Sequence, residues 1–451
     1  MKYLKFVLVW NRIKRFKKIR LKQSTRMVLM NPPVREKGMV IVGNGCAGAE
    51  CVKALRESGY NEKIHLLTDS RWPVSNPMLT TYYVAGKIGF DGLFPYGANQ
   101  EFYQKYGVDV SHESPVVALN AKQKMVYTKS GQELKYDKCL IATGATPFLP
   151  PINSAGSNRI YTMRTVEDAI RLKEAMAKKP KKTLVIGASM VGIKVVELFY
   201  QAGAEVCLTD LAQHIFPTAA HFECSRVIEE CLERKGVKLR FGAGIEEVKE
   251  MTRGVRAYFK GGTESEEADL LAMCIGVRPN IGFIDRKQVA ADNGILVDGY
   301  MRTSMPGLYA AGDVAQGTNL LSGGSQMIGS WDNARYQGRT AGRNMAGGNE
   351  FFPGNIPHYI THFMGLDFVG IGDVDGHDKM EKKYDGKRFI QLFWKNGLLT
   401  GANFLDSYTE SGAIKNALIK GLRQKGVVLS GSLPFIQNHL IKNILSEVKR
   451  G

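Results

Sequence analysis

The chain has no run of about 18 apolar residues, the length a membrane-crossing helix needs, so no transmembrane span is expected. Near its start, residues 6–10 form an apolar run of five, shorter than the ~7–15-residue core of a secretion signal. Cysteine is scarce. There are seven in 451 residues and no Cys-x-x-Cys pair, which removes the usual spacing of zinc and iron–sulfur ligands, and no metal site is expected. Most of these cysteines lie in apolar runs, as reduced core thiols of a cytoplasmic protein do. Acidic residues are outnumbered, 43 Asp and Glu against 61 Lys and Arg.

A net charge of +18 raises nucleic acid or a membrane surface as a partner. The charge is unevenly placed. Residues 1–37 hold twelve Lys and Arg against Glu36 alone, so eleven of the eighteen net charges fall there. The remainder is mildly basic and shows no aromatic–basic interleaving, so nucleic acid is not expected. Trp10, Ile13, Phe16 and Ile19 are spaced by three among the cations, a membrane-surface pattern. It competes with a disordered extension and with docking to a partner.

What is present is a repeat. Val40-Ile-Val-Gly-Asn-Gly-Cys-Ala-Gly48 opens a segment that ends in Ile64-His-Leu-Leu-Thr-Asp69. Leu184-Val-Ile-Gly-Ala-Ser-Met-Val-Gly192 opens a second, ending in Val206-Cys-Leu-Thr-Asp210. Each reads as strand, glycine loop, helix and second strand. The first glycines lie 144 residues apart, about one domain's length. A length of 451 and a hydrophobic content of 44% allow two or three packed domains.

A lone Gly-x-Gly-x-x-Gly is weak, but here it follows a strand and opens a helix, as dinucleotide binding requires. Gly43 permits the tight turn, Gly45 admits the pyrophosphate, and Gly48 lets helix and strand pack closely. The helix N-terminus offers free N–H groups and a partial positive charge to phosphates. Asp69 is expected to accept ribose hydroxyls. In the second loop Ser189 replaces the middle glycine and adds a small hydroxyl donor. Asp210 favours free ribose hydroxyls and repels a 2′-phosphate, so NAD is favoured over NADP.

Three further segments complete a pattern: Ala142-Thr143-Gly144, then Cys274-Ile-Gly276-Val-Arg-Pro-Asn280, then Thr303-Ser-Met-Pro-Gly-Leu-Tyr-Ala-Ala-Gly312-Asp313. Their order with the two loops resembles the FAD-dependent pyridine nucleotide–disulfide oxidoreductases from about residue 39 onward. The resemblance implies an α/β fold of two nested Rossmann-like three-layer dinucleotide-binding domains plus a C-terminal α+β interface domain. Residues 1–37 form a basic extension, 38–150 with 281–349 a discontinuous FAD domain, 151–280 an inserted NAD domain, and 350–451 the interface domain. It places FAD against Gly43, Gly45, Cys46, Ala47, Gly48, Asp69, Val116, Ala142, Thr143, Gly144, Gly312 and Asp313, with Asp313 on the ribityl chain. It places NAD against Gly187, Ser189, Met190, Val191, Gly192, Asp210 and Gly276. The helix over residues 331–342 is implied to sit by the flavin ring.

Disulfide-reducing members carry a Cys-x4-Cys pair on the first helix. Cys46 and Cys51 are five apart, and on a helix they point about 140° from each other, which disfavours a disulfide. Peroxidase and oxidase members use one flavin-side cysteine, and Met78 occupies that place. The segment 71–81 resembles that of the ferredoxin-, rubredoxin- and nitrite-reductase branch. There a Lys pairs with a Glu near flavin N5; the Lys place here is Thr81 and the Glu place is Lys194. Lys194 is read either as a cation beside the flavin that favours its anionic reduced form or as an ordinary exposed helix lysine. Tyr359-Ile-Thr-His-Phe-Met-Gly365, Leu399-Thr-Gly401 and residues 69–87 resemble the FAD-bearing subunits of phenylglyoxylate-type 2-oxoacid dehydrogenases. The resemblance implies an enzyme that passes electrons between NAD(H) and an iron–sulfur protein or subunit. The C-terminal domain is implied to make a dimer or hetero-complex. The rival readings are a stand-alone NADH oxidase, an NADH:rubredoxin or ferredoxin reductase, and a non-catalytic flavoprotein.

Overall fold

Apolar residues alternate between two destinations along the first strand, Met39–Val42, which is buried throughout. Met39 and Ile41 face one core, Val40 and Val42 another. This is the period-two signature of a strand buried on both sides. The computed structural model describes residues 38–150, 158–261, 264–407 and 411–424. The basic extension, with its surface-helix pattern, lies outside the described residues.

Met39–Val42 sits at the centre of a five-stranded parallel sheet, in the order Leu308–Ala310, Lys138–Ile141, Met39–Val42, Ile64–Leu67, Val108–Ser111. Helices Cys46–Glu57 and Trp331–Met345 cover one face. A meander of Val116–Asn120, Met125–Thr128 and Glu133–Lys135 covers the other. The two helices approach closely because Gly338 and Gly342 face the first. A Cβ on Gly338 would lie 2.3 Å from the Ala47 carbonyl oxygen, and one on Gly342 2.6 Å from that of Cys51.

The second repeat builds the same object. Lys182–Ile186 is central in a parallel sheet ordered Lys238–Arg240, Glu205–Thr209, Lys182–Ile186, Leu270–Met273, Ile160–Tyr161. Helices lie on one side and a second meander, Ile245–Glu250, Val255–Phe259 and Ser265–Ala268, on the other. Strand Leu308–Ala310 thus joins the first sheet although the whole second sheet precedes it in sequence. The two units are linked by an antiparallel pair, Ala145–Pro147 with Val277–Pro279.

The last unit is an antiparallel sheet ordered His358–Phe363, Leu366–Gly372, Leu398–Leu405, Phe389–Lys395, Lys379–Tyr384. Ile414 and Leu418 of helix Ser411–Gln424 pack on one face. On the other, Phe363 and Phe368 enter the core of the second unit, where both rings meet Phe216. All three rings are fully buried, each contributing about 1.5–3 kcal/mol relative to exposure. No described helix is long and apolar enough to cross a membrane.

Candidate functional site

Both glycine loops leave the C-terminal ends of central strands, the usual location of ligands in open parallel sheets. Gly43 has φ +116°, and a Cβ there would lie 2.1 Å from the Ala142 carbonyl oxygen. Gly187 has φ +108°, and its Cβ would lie 2.4 Å from that of Cys274. Neither position accepts another residue. Gly48 and Gly192 are closed by the loop itself, 2.2 and 1.9 Å from the carbonyl oxygens of Gly43 and Gly187.

Gly45 differs. A Cβ built on it meets nothing within 4 Å, and it caps helix Cys46–Glu57 without a side-chain hydrogen bond. The first-turn N–H groups therefore have no side-chain cap, which fits an anionic pyrophosphate. Ser189, its counterpart, turns its hydroxyl inward. Oγ donates to the Cys274 carbonyl at 2.8 Å and accepts from Gly192 N–H at 3.1 Å. The hydroxyl read from sequence as an added donor is thus occupied as a helix cap. Met190 and Val191 form the first turn, and Val191 is exposed.

The turns after the neighbouring strands are also equivalent. Ala142 N–H bonds the Val42 carbonyl and Cys274 N–H that of Ile186, each at 2.7 Å. Gly144 and Gly276 then both adopt positive φ. Asn280 ties the two turns' connection together: its amide donates to the Thr143 carbonyl, and Thr143 Oγ1 donates back to its carbonyl, both at 2.9 Å.

The acids at the strand ends are not equivalent. Gly187 N–H bonds the Thr209 carbonyl, and Gly43 N–H bonds that of Leu67, both at 2.8 Å. Asp210 follows Thr209, so its structural counterpart is Thr68 and not Asp69. Strand residues alternate sides, so this one-residue slip matters. Thr68 is buried, with Oγ1 accepting from Ser70 N–H, while Asp69 is exposed one residue beyond. Asp210 is held at the second loop, accepting from Ala188 N–H at 2.6 Å and Ala212 N–H at 2.8 Å. Val116, half-buried at the start of its strand, follows Ser114, whose N–H bonds the Thr68 carbonyl at 2.7 Å.

Gly312 takes φ +82° and donates its N–H to Gln337 Oε1 at 2.8 Å, which fixes Asp313 beside the helix Trp331–Met345. The Asp313 carboxylate accepts from Arg164 at 2.7 Å. Arg164 was not singled out in the sequence. The capping box of Thr165 and Asp168 marks the helix start behind it, but nothing local signals a partner 149 residues away.

Cys46 and Cys51 are buried and point to different neighbours. Cys46 Sγ lies 3.9 Å from the Tyr96 hydroxyl and 3.7 Å from the Trp331 carbonyl, whereas Cys51 Sγ meets Met345 Sδ at 3.8 Å. Burial pushes the Cys46 thiol up to about 12 and raises that of Cys51 as well. Beside them, burial works to raise the Glu50 carboxyl, but hydrogen bonds from Tyr96, Arg339 and Lys53 outweigh it and hold it below the ordinary value. Met78 is 59% exposed and Thr81 is buried.

Lys194 is not an exposed helix lysine. Its side chain is 12% exposed and bonds the Glu197 carboxylate and, at 2.6 Å, the His362 carbonyl. Its ammonium lies 5.3 Å from the centre of the Tyr82 ring. The cation is present, but it is paired with an acid one turn further along its own helix, a partner the sequence reading did not identify.

Residues 37–338 match the family model described as pyridine nucleotide-disulphide oxidoreductase. The chain is 28% identical over 401 residues to the epsilon subunit of the NADH-dependent phenylglyoxylate dehydrogenase of Aromatoleum evansii, covering 87% of this chain and 93% of that one. It is 25% identical over 343 residues to the rubredoxin-NAD(+) reductase of Pseudomonas putida, covering 76% and 88%. Among solved structures, the covalent putidaredoxin reductase–putidaredoxin complex superposes with a TM-score of 0.78 at 25% identity, over 84% of this chain and 92% of that one.

Proposed function

The chain belongs to the pyridine nucleotide-disulphide oxidoreductase family, and from that premise we propose that it relays electrons between NAD(H) and an iron–sulfur protein or subunit outside the chain, within a multi-subunit complex of the 2-oxoacid dehydrogenase kind. It is an oxidoreductase that uses FAD and NAD(H). The observation that carries the relay reading is the thiol arrangement. Cys46 and Cys51 are buried against separate partners, and Met78, which the family resemblance puts in the place of the flavin-side cysteine, is exposed. The relative from Aromatoleum evansii is named as a subunit of an NADH-dependent dehydrogenase, which supports the complex. The C-terminal sheet is the surface we assign to contact within it.

Gly43, Gly45, Cys46, Ala47 and Gly48 would receive the FAD pyrophosphate at the uncapped helix N-terminus. Ala142, Thr143, Gly144 and Val116 would border the same cofactor, and Asp313 would accept from its ribityl hydroxyls beside Gly312. Gly187, Ser189, Met190, Val191, Gly192 and Gly276 would hold NAD(H), with Asp210 on the adenosine ribose. FAD supplies the conversion between two-electron hydride chemistry and one-electron transfer. The chain's residues position the two dinucleotides and set the electrostatics between them. Lys194 would place positive charge near the reacting ring, tempered by Glu197.

Anaerobic mixing with NADH tests the reading. Flavin bleaching followed by fast reoxidation on adding an oxidised ferredoxin is expected. Oxygen uptake with NADH alone at an equal rate would make the protein a self-sufficient oxidase. Absence of NADH-driven bleaching would make it a non-catalytic flavoprotein.

A further inference from the structure

Strand His358–Phe363 is an edge of the C-terminal sheet. Edge strands leave backbone groups that no neighbouring strand satisfies, open to partners from elsewhere in the fold. Here the partner is helix Met190–Gln201. Lys194 Nζ donates to the His362 carbonyl at 2.6 Å, and Met364 N–H donates to Glu197 Oε1 at 3.0 Å. Lys194 and Glu197, one turn apart, also bond each other. Glu197 is 4% exposed. Burial works to raise its carboxyl, but Lys194 and the Met364 N–H outweigh this and hold it below the ordinary value.

The turn being held is itself constrained. Met364 and Gly365 have φ +49° and +83°, the signs of a type I′ hairpin turn. Met364 is an unbranched L-residue in a region that favours glycine or asparagine. Its side chain is buried in the core shared by Val84, Ile193 and Phe363. The helix, the short helix Thr80–Val84 and the hairpin therefore meet at one place.

We propose that Lys194 and Glu197 form a two-pronged clip that stands in for a missing strand, pinning the second loop helix to the sheet edge and fixing where the Lys194 ammonium sits. Both are positioning residues in this role. The clip has a polarity. A donor at 194 answers a carbonyl at 362, and an acceptor at 197 answers an N–H at 364. An ordinary ion pair is indifferent to which residue carries which charge; the clip is not. The clip holds whether or not Lys194 also acts on the flavin, because its test reads the backbone.

Hydrogen exchange of segment 358–366 in the flavin-loaded protein measures it. Lys194→Met and the double exchange Lys194→Glu with Glu197→Lys are each expected to lower protection roughly tenfold, the scale of one charged hydrogen bond. Lys194→Arg, which keeps a donor, should retain it. Wild-type protection in the double exchange would reduce the clip to a plain ion pair and overturn it, as would wild-type protection in Lys194→Met. If the double exchange does not fold, Glu197→Gln decides: it keeps an acceptor for the Met364 N–H but removes the charge, so retained protection is expected and a tenfold loss would reduce the clip to a plain ion pair.

Discussion

Arg164 and Asp313 lie 149 residues apart and join at 2.7 Å, with side chains 22% and 18% exposed. Asp313 belongs to the loop after the last strand of the first sheet, and Arg164 precedes the helix Val166–Met176. The pair orients the carboxylate assigned to the ribityl chain. Asp313→Ala removes that acceptor and leaves a half-buried guanidinium without its partner, a loss of about 1.5–3 kcal/mol. Less flavin should co-elute on gel filtration, by roughly tenfold in affinity. Arg164→Ala should have a smaller effect of the same sign. Equal flavin retention in Asp313→Ala and wild type would remove Asp313 from the site.

We assign the choice of coenzyme to Asp210, whose carboxylate is already anchored by Ala188 and Ala212 N–H. Asp210→Ser should lower kcat/KM for NADH and raise it for NADPH. The preference ratio should shift about tenfold to a hundredfold, the scale of one hydrogen bond to a charged group. Steady-state rates with both coenzymes measure the shift. An unchanged ratio would mean that another group reads the ribose.

Thiol reactivity should be low in the folded protein. All seven cysteines are among the described residues, and six are buried. Burial pushes Cys46 and Cys274 to about 12 and Cys207 to about 11. At pH 8 such groups are roughly one part in a thousand thiolate or less. Iodoacetamide should modify Cys231, which is half-buried, and leave the rest until unfolding. Rapid labelling of Cys46 or Cys51, read by mass spectrometry, would reopen a thiol mechanism.

His358 predicts a pH dependence of stability. Burial pushes its imidazole down to about 4, helped by nearby Lys415 and opposed by Asp332. Its Nε2 is buried without a hydrogen-bond partner among the described residues. Between its unfolded value near 6.5 and about 4, the unfolded chain binds a proton that the folded chain does not. This contribution is therefore flat above pH 6.5 and destabilises as pH falls toward 4. Urea melts at pH 7 and pH 4.5 should show His358→Gln losing about 1–3 kcal/mol less than wild type over that interval. Parallel losses in the two proteins would refute it.

Much of the first two units was legible because their signals are local. A glycine that must turn with positive φ, a buried run of strand length and a helix beginning at once behind them are all written within about ten residues. The loops at Gly43 and Gly187 and the turns at Gly144 and Gly276 follow from such patterns. Asp69 shows the limit. Both segments end in Thr-Asp, but hydrogen bonds from Gly43 to Leu67 and from Gly187 to Thr209 put Thr68 in the place of Asp210. Sequence carries the apolar pattern, while register is decided by the strand next door.

By itself, then, the sequence determined two dinucleotide folds and their glycine loops, since each depends on steric limits within one short segment. Only the tertiary structure decided who meets whom. Arg164 found Asp313, Ser189 spent its hydroxyl on Cys274 and Gly192, and Lys194, open in the sequence to a flavin-side or a solvent-facing place, met Glu197 and the edge of the last sheet. These are long-range pairings or choices between competing partners. Their outcome depends on which surfaces the packed cores bring within about 3 Å, the reach of a hydrogen bond.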